Sequence, residues 1–396
     1  MDMHQYLAVS AWSTADVDYF LDPTTPSWAR FDPETGYGLG NVSVRDGVDG
    51  AYTFNSYAPD GARRMARQDG RPCRIDTFGD SFTQCHQVSD GETWQEVLGA
   101  HLGEALRNFG VGGFGVYQAF CRIRRRADAA ELAPFVVLNI YDDDHVRNLD
   151  AARWFRIRGF REASGAQIRP MLHANPWAHL RWDRTRHTFT EKPNPLPTPG
   201  LLYRFADPAA VVQMFGDDEV VALECLRTGI DVPTRLRERI AAVATDVDLP
   251  DDLSRDGAGR ILEGYGLRST LHTLDLTREL VDRAGARLLV LLSYSAERVH
   301  ERLRGQPRFD QQVVDYLSAH AVPYVDGLAA HERDAADFAL SPQAYTDRYF
   351  HGHYTPAGNT FFAFAIKDAV VDWLDPKPPA YPGAGTPFAV AARQLA

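Results

Sequence analysis

Two runs, FVVLNIY at Phe135–Tyr141 and RLLVLLSY at Arg287–Tyr294, are apolar without alternation. A strand with one wet face alternates apolar and polar residues; a continuous run suits a parallel strand covered on both faces. Three shorter runs of the same kind fall near Cys73–Phe78, Arg107–Val111 and Pro323–Asp326. Helix-period segments lie between them, at Thr93–Leu102, Gly115–Ala127, about Gly259–Ala284 and Phe309–Ala319. A last helix opens on TPAG, where Thr355 can cap and Pro356 suits the first turn. Phe362, Ile366, Val370 and Trp373 then recur on one face, which predicts packing on the sheet. This alternation predicts a three-layer α/β/α sandwich around a mainly parallel, flavodoxin-like five-stranded sheet. In such sheets ligands bind beyond the carboxyl ends of the strands.

The alternation breaks over 149–257, which holds EKPNPLPTPG and the tryptophans of NPWAHLRW. That segment reads as an inserted cap within a core domain at 71–374. Residues 1–70 read as a lead-in packing on the core. The Pro/Gly-rich tail over 375–396 reads as an extended arm. No internal repeat is visible.

A net charge of -11 argues against a general nucleic-acid binder, which shows a basic stripe. No stretch approaches the 18 apolar residues of a membrane span, and the first twenty residues lack the pattern of a leader. The four cysteines, Cys73, Cys85, Cys121 and Cys225, show neither a disulfide framework nor zinc spacing. A cytoplasmic protein with reduced thiols and no cofactor is expected.

Four stretches carry candidate chemistry: GDSFT at Gly79–Thr83, NFGVGG at Asn108–Gly113, IYDDDHVRN at Ile140–Asn148 and HGHYTPAGN at His351–Asn359. Each falls in a loop that the expected sheet would bring to one rim. Their order resembles the SGNH (GDSL-type) hydrolase family, from about Phe31 to Leu374 outside the insertion. The resemblance implies that Ser81 is the nucleophile, His353 its base, and the amides of Ser81 and Gly113 parts of an oxyanion hole. A serine hydroxyl is a weak nucleophile until a neighbouring base takes its proton. Asp80 is expected to orient the loop. The implied partner is a small-molecule or carbohydrate ester, and no metal is expected.

The chain departs from the family pattern twice. The oxyanion asparagine slot holds Asp143, or Asp142 if shifted by one. A carboxylate there repels an oxyanion unless burial keeps it protonated. The family's aspartate two or three residues before the base is replaced by His351 or Phe350. The partner of His353 is then a backbone carbonyl or an acid from elsewhere, with Asp142, Asp143 and Asp144 as candidates. His351 stands as a second functional histidine or a surface residue. Asp144 and Arg147 read as a structural pair or as an anchor for the insertion, or as substrate contacts with Asp80 and Asp142.

Competing readings stay open. Ser81 could simply cap the helix after its strand. DDDH with HGH has metal-ligand chemistry. CRIRRR at Cys121–Arg126 reads as a solvated helix face, and Cys85 as a small buried residue. Trp154, Trp177, Arg181 and Trp182 either grip a sugar or anion or fill the cap's own core. The expected activity is removal of an acyl group from a polar ester. An acyltransferase and an inactive binding module of the same fold are the alternatives. The oligomeric state is left open.

Overall fold

Five parallel strands form one sheet: β1 (Cys73–Phe78), β2 (Ala105–Asn108), β3 (Phe135–Tyr141), β4 (Arg287–Ser293) and β5 (Tyr324–Asp326), in the order β2-β1-β3-β4-β5. The computed structural model describes residues 1–25, 27–68, 70–71, 73–163 and 172–381. β3 and β4 run in register from Phe135 opposite Arg287 to Tyr141 opposite Ser293. Phe135–Ile140 and Leu289–Ser293 are buried without a break, so both sheet faces are covered. The sheet is the flavodoxin-like one expected, flanked by helices. The strand order reverses between β1 and β3, the place where open α/β sheets seat ligands.

Helix α1 (Ser81–Gln84) begins directly after β1, and α2 (Trp94–Leu102) follows it. The last helix, α3 (Pro356–Trp373), is capped by Thr355, whose hydroxyl accepts the Gly358 amide. Its buried face is the one expected: Phe362 meets Trp94 of α2 at 5.7 Å between ring centroids, and Trp373 meets Phe135 of β3 at 5.1 Å.

β2 ends at Asn108, earlier than the expected Arg107–Val111 strand. Phe109 and Val111 are buried apolar residues, but their amides bond to Thr77 O and Gly79 O along a loop. Asn108 carries that loop onto the one after β1: its Nδ2 donates to Thr83 O and its Oδ1 accepts the Gly110 amide.

The chain divides into two units. The sheet belongs to the unit formed by Asn41–Gly112, Arg122–Asp142 and Arg278–Ala396. The other comprises Met1–Gly40, Gly113–Cys121 and Asp143–Thr277. The expected lead-in therefore divides at residue 40, and its first part shares a core with the expected insertion. In that core Trp12 packs on Phe205 at 5.4 Å, and Phe155 on Phe215 at 4.9 Å. Trp154 and Trp177 are buried with it. The expected C-terminal arm lies mostly outside the described residues; its start is docked, with the Ala380 amide on Leu102 O. No helix among the described residues is long and apolar enough to cross a membrane.

Candidate active site

Ser81 is the first residue of α1, 7 % exposed. Asp80 caps the helix by accepting the Phe82 amide at 2.9 Å. The Ser81 amide lies in the first turn, where no helix carbonyl can accept it. The Ser81 hydroxyl lies 2.8 Å from Nε2 of His353 and 3.1 Å from Oδ2 of Asp80.

His353 stands on a two-residue hairpin that pairs Phe350 with Tyr354 and His351 with His353. Gly352 makes the turn at φ 77°, and a Cβ built on it would come 2.8 Å from Gln87 Oε1. Only glycine allows both that backbone and that approach. The imidazole packs against Phe82 at 5.2 Å and meets the His86 ring edge to face at 5.0 Å.

Gln87 is the partner of His353. Its Oε1 lies 2.8 Å from Nδ1 and accepts the His353 main-chain amide at 3.1 Å. Its Nε2 donates to the main-chain oxygen of Asp46 at 3.1 Å. That second bond decides which way the carboxamide faces: the nitrogen turns to Asp46 and the oxygen to His353. An acceptor at Nδ1 calls for the Nδ1–H tautomer and leaves Nε2 with a lone pair toward the serine. An amide facing the other way would select the wrong tautomer, an error worth about 10⁴ in rate where it has been made in a triad.

The loop holding Gln87 is strained. Cys85 and Gln87 take φ of 61° and 68°, left-handed values that cost non-glycine residues roughly 1–2 kcal/mol each. Arg63, buried at 2 % exposure, holds the loop in that shape. Its Nη1 donates to Gln84 O and Cys85 O, its Nη2 to Val88 O, and its Nε to Asp90. Behind the loop, His86 Nε2 lies 3.4 Å from Asp46 Oδ2. Burial lowers the His86 pKa, with Asp46 opposing and Arg63 adding to the shift.

Such an arrangement can move a proton from a hydroxyl to an imidazole whose tautomer is held from behind. No family model matches the chain, and no curated protein matches it. Among solved structures, it is similar to a candidate lipolytic protein of the G-D-S-L family from Desulfitobacterium hafniense DCB-2, with 10 % identity and a TM-score of 0.34. The match spans 74 % of this chain and 98 % of that one. A likeness of that degree assigns no family.

Ser81, His353 and Asp80 come together within the sheet unit. His351 lies across the hairpin from His353, exposed, and no described contact joins it to Ser81. Asp142 follows β3 directly and accepts the Ser295 hydroxyl at 2.7 Å. Gly113, Asp143, Asp144 and Arg147 belong to the other unit. There Arg147 bridges Asp143 at 2.9 Å and Asp144 at 2.7 Å, and Arg156 adds a contact to Asp143 at 2.8 Å. Burial works to raise the Asp143 carboxyl, but Arg156, Arg147 and Arg153 outweigh it and hold the group well below the usual range. Asp143 is thus a carboxylate, able to accept hydrogen bonds and not to donate one. Among the described residues no three or more His, Cys, Asp or Glu side chains are grouped so as to hold a metal ion.

Gln87, Arg63 and Asp46 were not singled out from sequence. Gln87 had a usable signal: it lies six residues after the serine, in a chain whose histidine lacks its expected acid.

Proposed function

We propose that the protein is a serine hydrolase that cleaves a carboxylic ester through an acyl-serine intermediate. The contact that carries the reading is Ser81 Oγ to His353 Nε2 at 2.8 Å, with Gln87 behind the ring. Nε2 takes the hydroxyl proton as Oγ bonds to the ester carbonyl carbon. The carbonyl electron pair moves to oxygen, and the Ser81 amide donates to that oxyanion. The imidazolium keeps its Nδ1 proton on Gln87 and passes the Nε2 proton to the departing alkoxide. Water then attacks the acyl group as His353 takes its proton, and that proton returns to Ser81 as the acid leaves. Each oxyanion donor is worth roughly 3 kcal/mol of barrier.

The family resemblance supports small acyl groups on a carbohydrate or another polar scaffold as substrates. The Ser81–His353 contact favours an active enzyme over an inactive binding module. Folded protein treated with a fluorophosphonate should carry one adduct, located on Ser81 by mass spectrometry and absent from Ser81→Ala. Folded wild type that takes no label, or an adduct that persists in Ser81→Ala, would refute the reading.

A further inference from the structure

We propose that Arg153 anchors an anion-binding site for a ligand bearing a carboxylate or phosphoryl group. The inference stands on one unit of the chain and does not need the hydrolase reading.

Three arginines and three aspartates cluster after β3. Arg147 pairs with Asp143 and Asp144, and Arg156 with Asp143 and Asp150. Those pairings engage all three carboxylates. Arg153 has no ion pair and no side-chain hydrogen bond among the described residues, and its Nε is sealed from solvent. Burial, with the nearby Arg147 and Arg156 charges, pushes its pKa down to about 10. It is therefore still a cation at neutral pH. The residue as a whole is only part-buried and Asp143 lies near enough to favour its charge, but the sealed Nε–H is a donor left unmade, and such a group marks a place for a water, ion or ligand.

The Arg153 head group lies against Gly113, which takes φ 90°. A Cβ built there would collide with Arg153 Nη1 and come 2.8 Å from Tyr37 Oη, so glycine leaves the guanidinium its room. His173 borders the same spot, its Cδ2 3.4 Å from that position. Tyr37 is held between Phe114 at 5.3 Å and Trp177 at 6.2 Å, and His173 packs on Trp28 at 4.6 Å. A planar guanidinium beside fixed rings suits a two-oxygen anion on a body with an apolar face.

The test is a titration of wild type with inorganic phosphate, and separately with acetate, against chloride at constant ionic strength. At least one of the two should raise Tm saturably by several degrees. In Arg153→Gln that rise should vanish, while the anion-free Tm holds or increases. An equal rise in the variant, or no saturable response to either anion in wild type, would overturn the proposal. Should Arg153→Gln not fold, the Arg153 Nε–H resonance of wild type decides instead. A shift along a saturating isotherm supports the site, and a resonance that stays still overturns it.

Discussion

The carboxamide oxygen of Gln87 faces both the ring Nδ1 and the main-chain amide of His353, at 2.8 and 3.1 Å. A neutral acceptor can hold a tautomer without adding charge behind the imidazolium. Two variants separate these effects. Gln87→Leu frees the ring and should lower kcat about 10²- to 10⁴-fold with KM within about two-fold, the range for losing tautomer control. Gln87→Glu sets a carboxylate behind the ring and should raise the His353 pKa, moving the acid limb of kcat/KM up by about one pH unit. A limb that stays in place would mean Gln87 does not face the base in solution.

Gly352→Ala tests the turn beneath His353. The left-handed φ costs alanine about 1 kcal/mol, and the methyl would press on Gln87 Oε1. Fluorophosphonate labelling of Ser81 should slow at least ten-fold with far-UV circular dichroism unchanged. An unaltered rate would show that the approach of Gln87 is not needed.

His331 makes stability depend on acid. Its ring is sealed between the hydroxyls of Tyr345 and Tyr354, at 2.9 Å each, and burial pushes its pKa down to about 3. The unfolded histidine, near 6.5, binds its proton first. The His331 penalty is therefore absent above 6.5 and grows by about 1.4 kcal/mol per pH unit as acid is added toward 3. His179, also pushed to about 3 by burial, adds the same trend. Urea midpoints at pH 7 and 5 should differ, and His331→Gln should remove the His331 share, roughly 2 kcal/mol. A difference of the same size in the variant would contradict this.

Asp143→Asn should weaken the fold at neutral pH. The folded carboxyl sits below its unfolded value, so its contribution is present above about pH 4 and is lost as pH falls through the folded value. The urea midpoints of wild type and variant should differ at pH 7 and converge in strong acid. A gap that ignores pH would remove the charge pairing as its cause.

The sheet could be read from sequence because burial on both faces leaves contiguous apolar runs, and β1, β3 and β4 fall where those runs fall. β2 was displaced because Phe109 and Val111 are apolar for a different reason: they seal a loop. Ser81 and His353 were legible through their local motifs. Gln87 was not: it reaches its partner across 266 residues, and a carboxamide announces no titrating chemistry. Nor was the shared core of 1–40 with 143–277, since amphipathic helices far apart in the chain do not name their partners.

The Arg63 guanidinium ties four groups at once, three of them carbonyls from the bend that bears Gln87. The shape of that bend is thus set from outside it, and Gln87 inherits its position from a side chain that lies well back along the sequence. Loss of that one side chain would strand three carbonyls together and leave the carboxamide behind His353 without its mooring.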